Sequence, residues 1–139
     1  MSRLSFTVHD KLPPEAEIVD HGLGAANDAA APLHEVQPLS AFARDEEGTV
    51  VGGAVGRTWR RCCELQQLWV REGSRRQGIG AALVRAFEAR ARARGCTIFY
   101  LETFNFQAPD FYRGLGYDTA YEHRVYPHGI VKHVMVKHE

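Results

Sequence analysis

The stretch LWVREGSRRQGIGAALVRAFEARARARG, Leu68 to Gly95, constrains the fold more than any other part of the chain. An apolar run suited to a buried strand, CCELQQLWV, passes through arginines and glycines straight into a helical pattern, with no ordinary capping residue before it. From Gly78 to Arg94 the apolar positions Ile79, Leu83, Ala86 and Phe87 recur at helical spacing, Glu88 stands one turn before Arg92, and Gly95 supplies a stop. TIFYLET, Thr97 to Thr103, then reads as a second buried strand. Two strands joined in this way through a helix make a right-handed parallel crossover.

The flanks add mostly antiparallel structure. RLSFTVHD, Arg3 to Asp10, alternates with Leu4, Phe6 and Val8 on one face and predicts a strand. Pro14 can open a helical region from Glu15 to Ala31 that Gly22 and Gly24 weaken, so it reads equally as one helix or two. PLSAFARDEEGTVVGGAVGRTW holds two strands around DEEG, and the glycines at 52, 53 and 56 point to close backbone approach or bulging. After the second parallel strand, Pro109 suits a first helical position, with Gly114 and Gly116 ending a short helix. AYEHRVYPHGIVKHVMVKHE is a hairpin turning at PHG, whose edge could pair with a second copy as a homodimer. At 139 residues the expectation is one domain over 1–139.

Composition limits the function. The 17 basic and 17 acidic residues cancel, so no global field draws the chain to nucleic acid or a membrane, and an anion site must be local. No run approaches the ~18 apolar residues of a membrane helix, and the polar start MSRLSFTVHD lacks a signal-peptide core. A cytoplasmic location is expected, which the three cysteines fit, Cys62 and Cys63 being adjacent and Cys96 left odd. No metal is expected: Cys-x-x-Cys is absent, and His123, His128, His133 and His138 recur at a spacing that matches neither a strand face nor a helix face.

SRRQGIGA looks suited to phosphate, because a helix start presents free N-H groups and partial positive charge that glycine lets an anion reach. The plain alternative is an arginine-rich surface turn. A Walker loop is ruled out, since Gly80 is followed by Ala81 and Ala82, not by Lys and Ser or Thr. A dinucleotide fingerprint lacks its third glycine, Leu83 standing there.

Arg75-Arg76-Gln77-Gly78-Ile79-Gly80 instead resembles the Gln/Arg-x-x-Gly-x-Gly/Ala motif of GNAT-type acyl-CoA N-acyltransferases. A second motif agrees: Asn105, Ala108, Phe111, Tyr112, Gly116 and Tyr117 match that family's pattern after the next strand. The resemblance implies an α+β fold whose mixed, mostly antiparallel sheet of about six or seven strands has a splayed parallel pair and about four flanking helices. It implies acetyl-CoA as donor. The N-H groups of Gln77, Gly78, Ile79, Gly80 and Ala81 would hold its pyrophosphate, Arg75 and Arg76 would add charge, the backbone of Leu68, Trp69 and Val70 would pair with the pantetheine arm, and Asn105 would help position that arm.

Acetyl transfer to an amine needs a neutral nucleophile, stabilisation of an oxyanion and an acid for the thiolate. Tyr112 occupies the position of the family's thiolate-protonating tyrosine. Glu64 matches a general-base glutamate of the histone-acetylating branch, and strand parity puts Glu64, Gln66, Leu68 and Val70 on one face; Glu102 is the second candidate. The plain alternative for each is a solvated or salt-bridged carboxylate, and in many relatives water or backbone serves as base. His123, Asp28 and Glu35 are further residues that could border an acceptor. The leading expectation is direct acetylation, in a ternary complex, of a primary amine on a small molecule such as an aminoglycoside-like antibiotic. A protein N-terminus or lysine is an alternative acceptor, a non-catalytic acyl-CoA-binding module a second class of function, and a Rossmann-like oxidoreductase a third.

Overall fold

The computed structural model describes residues 3–139, which fall into two units, one ending at His34 and one running from Glu35 to Glu139. In the first, residues 3–13 form neither helix nor strand, and Leu4, Phe6 and Val8 are exposed. The strand expected at Arg3–Asp10 is therefore absent: alternation supplies an apolar face, but a strand persists only in a ladder with partners. Helix α1, Ala16–Ala30, is one helix despite Gly22 and Gly24, each of which lowers helix propensity by about 1 kcal/mol relative to alanine. The carbonyls of Pro13 and Pro14 accept the N-H groups of Ala16 and Glu17 at 3.0 and 3.1 Å and so start it.

The second unit is a six-stranded sheet of β1 Val36–Arg44, β2 Val50–Trp59, β3 Cys62–Val70, β4 Ile98–Phe104, β5 Asp118–His123 and β6 Lys132–His138. The strand order is β1-β2-β3-β4-β6-β5. β3 and β4 run parallel, as the crossover predicts, and the other neighbours are antiparallel. Helix α2, Ile79–Ala93, joins the parallel pair, and α3, Pro109–Gly114, follows β4. With short 3-10 turns at Leu33–Glu35 and Glu72–Ser74, the helical content is close to that expected. No described helix is long and apolar enough to cross a membrane.

Local chemistry explains the turns. Asp45 Oδ1 accepts the N-H groups of Glu47 and Thr49, each at 2.9 Å, and closes the DEEG hairpin with Gly48 at φ +83. The tail hairpin turns through His128 and Gly129, both left-handed. Its second strand, β6, lies between β4 and β5.

Helix α2 buries Leu83, Val84, Phe87, Glu88 and Ala91, and packs across β1, β2 and β3. Ala86 is exposed, so the buried stripe lies slightly to one side of the one read from the sequence. Leu39, Ala54, Leu65, Phe99, Leu101 and Met135 complete the core. Burying Phe87 alone stabilises by roughly 1.5–3 kcal/mol.

Glu88 is the exception among these apolar residues. Its carboxylate accepts the Tyr117 hydroxyl at 2.6 Å and the Lys137 ammonium at 2.8 and 2.9 Å, and Arg92 stands 3.5 Å away. Arg92 in turn bonds Glu139 at 2.5 and 2.6 Å. The i,i+4 pair visible in the sequence is thus one arm of a network that ties α2 to β6 and to the residue following the α3 turn.

Candidate active site

The parallel pairing of β3 with β4 extends only from Cys62 opposite Ile98 to Leu65 opposite Leu101. Beyond that point β3 continues to Val70 and β4 to Phe104 without pairing, leaving a gap between them. A β-bulge lies at the parting. Val55 of β2 faces Gln67 and Gly56 faces Leu65, so Gln66 has no partner across β2. Bulges bend and twist a strand locally, and here the bend turns the end of β3 away from β4. Gly56 is required opposite it, because a Cβ there would overlap the Glu64 carbonyl oxygen and come within 2.9 Å of the Phe87 ring.

The bulge also overturns the expected parity. Leu65 lies in the core, and after the extra residue Leu68 and Val70 pack against that same core. Glu64 therefore shares no face with Leu68 and Val70. It lies on the face opposite α2, ion-paired with Arg57 of β2 at 2.9 Å. Gln67 and Trp69 continue on that opposite face.

The gap offers backbone as well as space. Arg71 N-H bonds the Val51 carbonyl at 2.8 Å, and a Cβ on Gly52 would lie 3.0 Å from the Trp69 carbonyl, so Arg71 and Trp69 direct their main chain towards β2. Strand alternation then aims the N-H and C=O of Leu68, and the N-H of Val70, into the gap. The Val70 carbonyl takes a bond from Arg75 Nε at 2.9 Å. Of the three residues expected to pair with an extended ligand, Trp69 contributes its half-exposed indole and not its backbone.

At the start of α2, Gly78 is left-handed at φ +76 and no side chain caps the helix. The first intrahelical bond is Ala82 N-H to the Gly78 carbonyl, which leaves the N-H groups of Ile79, Gly80 and Ala81 without helical partners. They open on a cavity of about 670 Å³ bordered by Arg75, Arg76, Phe106 and Phe111. Gln77 does not line it. Gly78→Ala would force an alanine into the left-handed region at roughly 1–2 kcal/mol. The expected result is a fall of about 3–10 °C in Tm, measured by thermal melt.

A second cavity, of about 570 Å³, occupies the gap itself and is lined by Leu65, Gln66, Leu68, Leu101, Thr103 and Tyr112 among others. Its outer wall is a row the sequence did not reveal: Phe42, Gly53 and Trp69 stand opposite one another across β1, β2 and β3. Any Cβ on Gly53 would meet the Phe42 ring at 3.0 Å, so the glycine makes room for the ring to lie over it. Tyr112 is nearly buried, and burial pushes its phenol up to about 12. Its ring packs edge-on against Phe111 and Tyr117.

Glu102 borders this cavity and also a smaller one of about 310 Å³, where Glu64, Phe104 and Lys132 join it. Glu102 accepts the Tyr100 hydroxyl at 2.5 Å and lies 3.6 Å from Lys132. Desolvation and that bond to Glu102 push the Tyr100 phenol up to about 12. Asn105 is directed elsewhere. Its carboxamide donates to the Gly129 carbonyl at 3.0 Å and accepts Val131 N-H at 3.1 Å, fastening the loop after β4 to the start of β6. Glu35 is ion-paired with Arg60, and no described His, Cys, Asp and Glu side chains are grouped to hold a metal.

Residues 8–117 match the family model described as the acetyltransferase (GNAT) family. The chain belongs to the GNAT acetyltransferase family. Among curated proteins it is 40% identical over 110 residues to blasticidin-S acetyltransferase of Streptomyces morookaense, covering 76% of this chain and 81% of that protein. It is 34% identical over 115 residues to Acetyltransferase Atu2258 of Agrobacterium fabrum, covering 82% and 84%. The crystal structure of an acetyltransferase from Bacillus cereus superposes with a TM-score of 0.78 at 26% identity, over 96% of this chain and 98% of that one.

As a GNAT acetyltransferase the protein is an acyltransferase, and the resemblance read from the two motifs holds over the fold. The splayed strands, the uncapped α2 and Tyr112 lie where those motifs put them. The Phe42–Gly53–Trp69 wall and Gln107, which borders all three cavities, carry no sequence motif of their own. The run of close glycines in β2 was the sole signal of the wall.

Proposed function

We propose that this chain transfers the acetyl group of acetyl-CoA to a primary amine of a small molecule, by direct attack within a ternary complex. The observation that carries this reading is the continuous path through the sheet. Free helix N-H groups and two arginines stand at one end, unpaired β3 backbone runs along it, and Tyr112 and Glu102 border the cavity at its far end. The helix start suits a pyrophosphate, and Leu68 and Val70 suit the amides of an extended arm, added as a strand would be. Residues 1–139 would act as one catalytic domain, since the family match runs across both units.

The acceptor side favours a compact amine with a flat or apolar body. Phe42 and Trp69 provide an aromatic wall, and the carboxylates of Glu102 and Glu64 favour a cation. The relationship to blasticidin-S acetyltransferase supports an antibiotic as acceptor. Thiol release from acetyl-CoA, measured across blasticidin S, aminoglycosides and peptides with a free N-terminus or lysine, tests this. Turnover confined to peptides would overturn the small-molecule reading, and no turnover of any amine would overturn catalysis.

For the base, position favours Glu102, which borders the reaction cavity; Glu64 reaches only the smaller one and is held by Arg57. Glu102→Gln should lower kcat about 100-fold or more, in the range of a positioned base, with Glu64→Gln changing it less. The reverse ranking in steady-state rates would return the role to Glu64.

A further inference from the structure

Gln107 stands at the junction of all three cavities and has no assigned role. Its carboxamide orientation is fixed by its partners. The oxygen accepts Phe104 N-H at 2.8 Å, and a backbone N-H can only donate, so the oxygen must face it. The Thr103 hydroxyl reaches the same oxygen at 3.4 Å, and Gln107 N-H bonds the Phe104 carbonyl at 2.9 Å, which closes the turn around it. The NH₂ end is then left with two donors and, among the described residues, no protein acceptor.

A held, unused pair of donors where a donor channel meets an acceptor pocket suits an oxygen that gains charge during the reaction. We propose that Gln107 donates a hydrogen bond to the carbonyl oxygen of the acyl group being transferred. The amine lone pair attacks the thioester carbon, and the C–N bond forms as the carbonyl π pair moves onto oxygen, where the Gln107 N-H bonds it. When that pair returns, the C–S bond breaks and its electrons leave on sulfur. The nitrogen loses a proton to the base and the sulfur takes one from the Tyr112 hydroxyl, giving an amide and a free thiol. Gln107 is exposed, so its free donors meet water until a substrate fills the gap; with its oxygen already held by Phe104 N-H, little reorganisation is then needed as charge develops.

Gln107→Glu isolates the role, because a carboxylate oxygen still accepts Phe104 N-H and the Thr103 hydroxyl while the NH₂ donors are lost. The inference rests on the proposed acetyl transfer, so two readouts are paired. In turnover with an amine the wild type accepts, kcat should fall about 100-fold, the scale for losing one such donor. In calorimetry without any amine, the preference for acetyl-CoA over CoA should fall about fivefold, since CoA has no carbonyl on its sulfur, and this reading stands whether or not an acceptor is known. Gln107→Met, which lacks donors and charge, should lose the same preference. An unchanged ratio of the two affinities in both variants, or a kcat within about threefold of wild type, overturns the role of Gln107. Wild-type inactivity towards every amine would count against the reaction instead, leaving the affinity ratio to decide on Gln107.

Discussion

Tyr112→Phe is expected to lower kcat by about 100- to 1000-fold while leaving CoA affinity nearly unchanged, the range for removing one hydrogen-bond donor from developing charge. The magnitude follows from the environment of the phenol. Burial pushes it up to about 12, whereas an ordinary thiol ionises near ~8.5. Burial raises a thiol in the same way, as it does Cys63, so the phenol is a weaker acid than the thiol it faces by much less than these two values imply. Tyr112 is therefore expected to hydrogen-bond the sulfur while charge builds and to pass its proton as the thiolate leaves.

The same shift sets the pH signature. An unfolded tyrosine ionises near ~10 and the folded one at about 12, so its contribution to stability is complete below ~10 and is lost as the pH rises to about 12. The rate deficit of Tyr112→Phe should be flat between about pH 6 and about pH 9, where the phenol stays protonated. Rate profiles of both proteins test this, and a deficit that disappears within that interval would show that another group supplies the proton.

Glu88→Ala is expected to destabilise the second unit strongly. It leaves the Lys137 ammonium, 13% exposed, and the buried Tyr117 hydroxyl without their shared acceptor. Removing one partner of a buried ion pair costs roughly 3–5 kcal/mol when the other is left unpaired; Lys137 keeps the Leu115 carbonyl at 3.1 Å and Glu139 at 3.8 Å, so the lower end is expected here. For a chain of this length that range corresponds to about 10–20 °C in Tm. Burial, then the bond to Glu88, push the Tyr117 phenol above its ordinary range, so the residue remains a donor throughout. The effect should reach the site as well. Tyr117 N-H bonds the Tyr112 carbonyl at 3.0 Å and the two rings pack edge-on, so loosening Tyr117 loosens Tyr112. A thermal melt within about 3 °C of wild type would show that the network is worth less than its burial implies.

What the sequence revealed and what it withheld follow from the range of the interactions. The βαβ crossover, both hairpins and the phosphate-suited loop are written in periodicity and in glycines that need particular backbone angles, which are local properties. The place of Tyr112 beside the gap was legible because its motif spans only Asn105 to Tyr117. The displacement of Glu64 was not, since period-two reasoning assumes an unbroken ladder, and only the partner strand shows that Gln66 is unpaired. Gly56 was the clue, but its meaning depends on where the Glu64 carbonyl lies. Asn105 fits the motif, yet its carboxamide is taken by Gly129 and Val131, more than twenty residues away. Glu88 looked like an ordinary helix-surface acid because its principal partner, Lys137, lies 49 residues on. Leu4, Phe6 and Val8 alternate as a strand would, and the ladder that alternation needs is absent.

The unpaired Gln66 also separates two evolutionary problems. Because one extra residue reverses the strand, the side chains that brace the donor channel project to one side of the sheet, and Phe42, Trp69, Glu64 and Glu102 project to the other. Substitutions at Phe42, Glu64 or Glu102 can therefore reshape the outer face without touching the residues around the start of α2, whereas Trp69 borders both cavities. A scaffold divided in this way can change its target while keeping its donor, which is a route by which one fold can come to serve many amines.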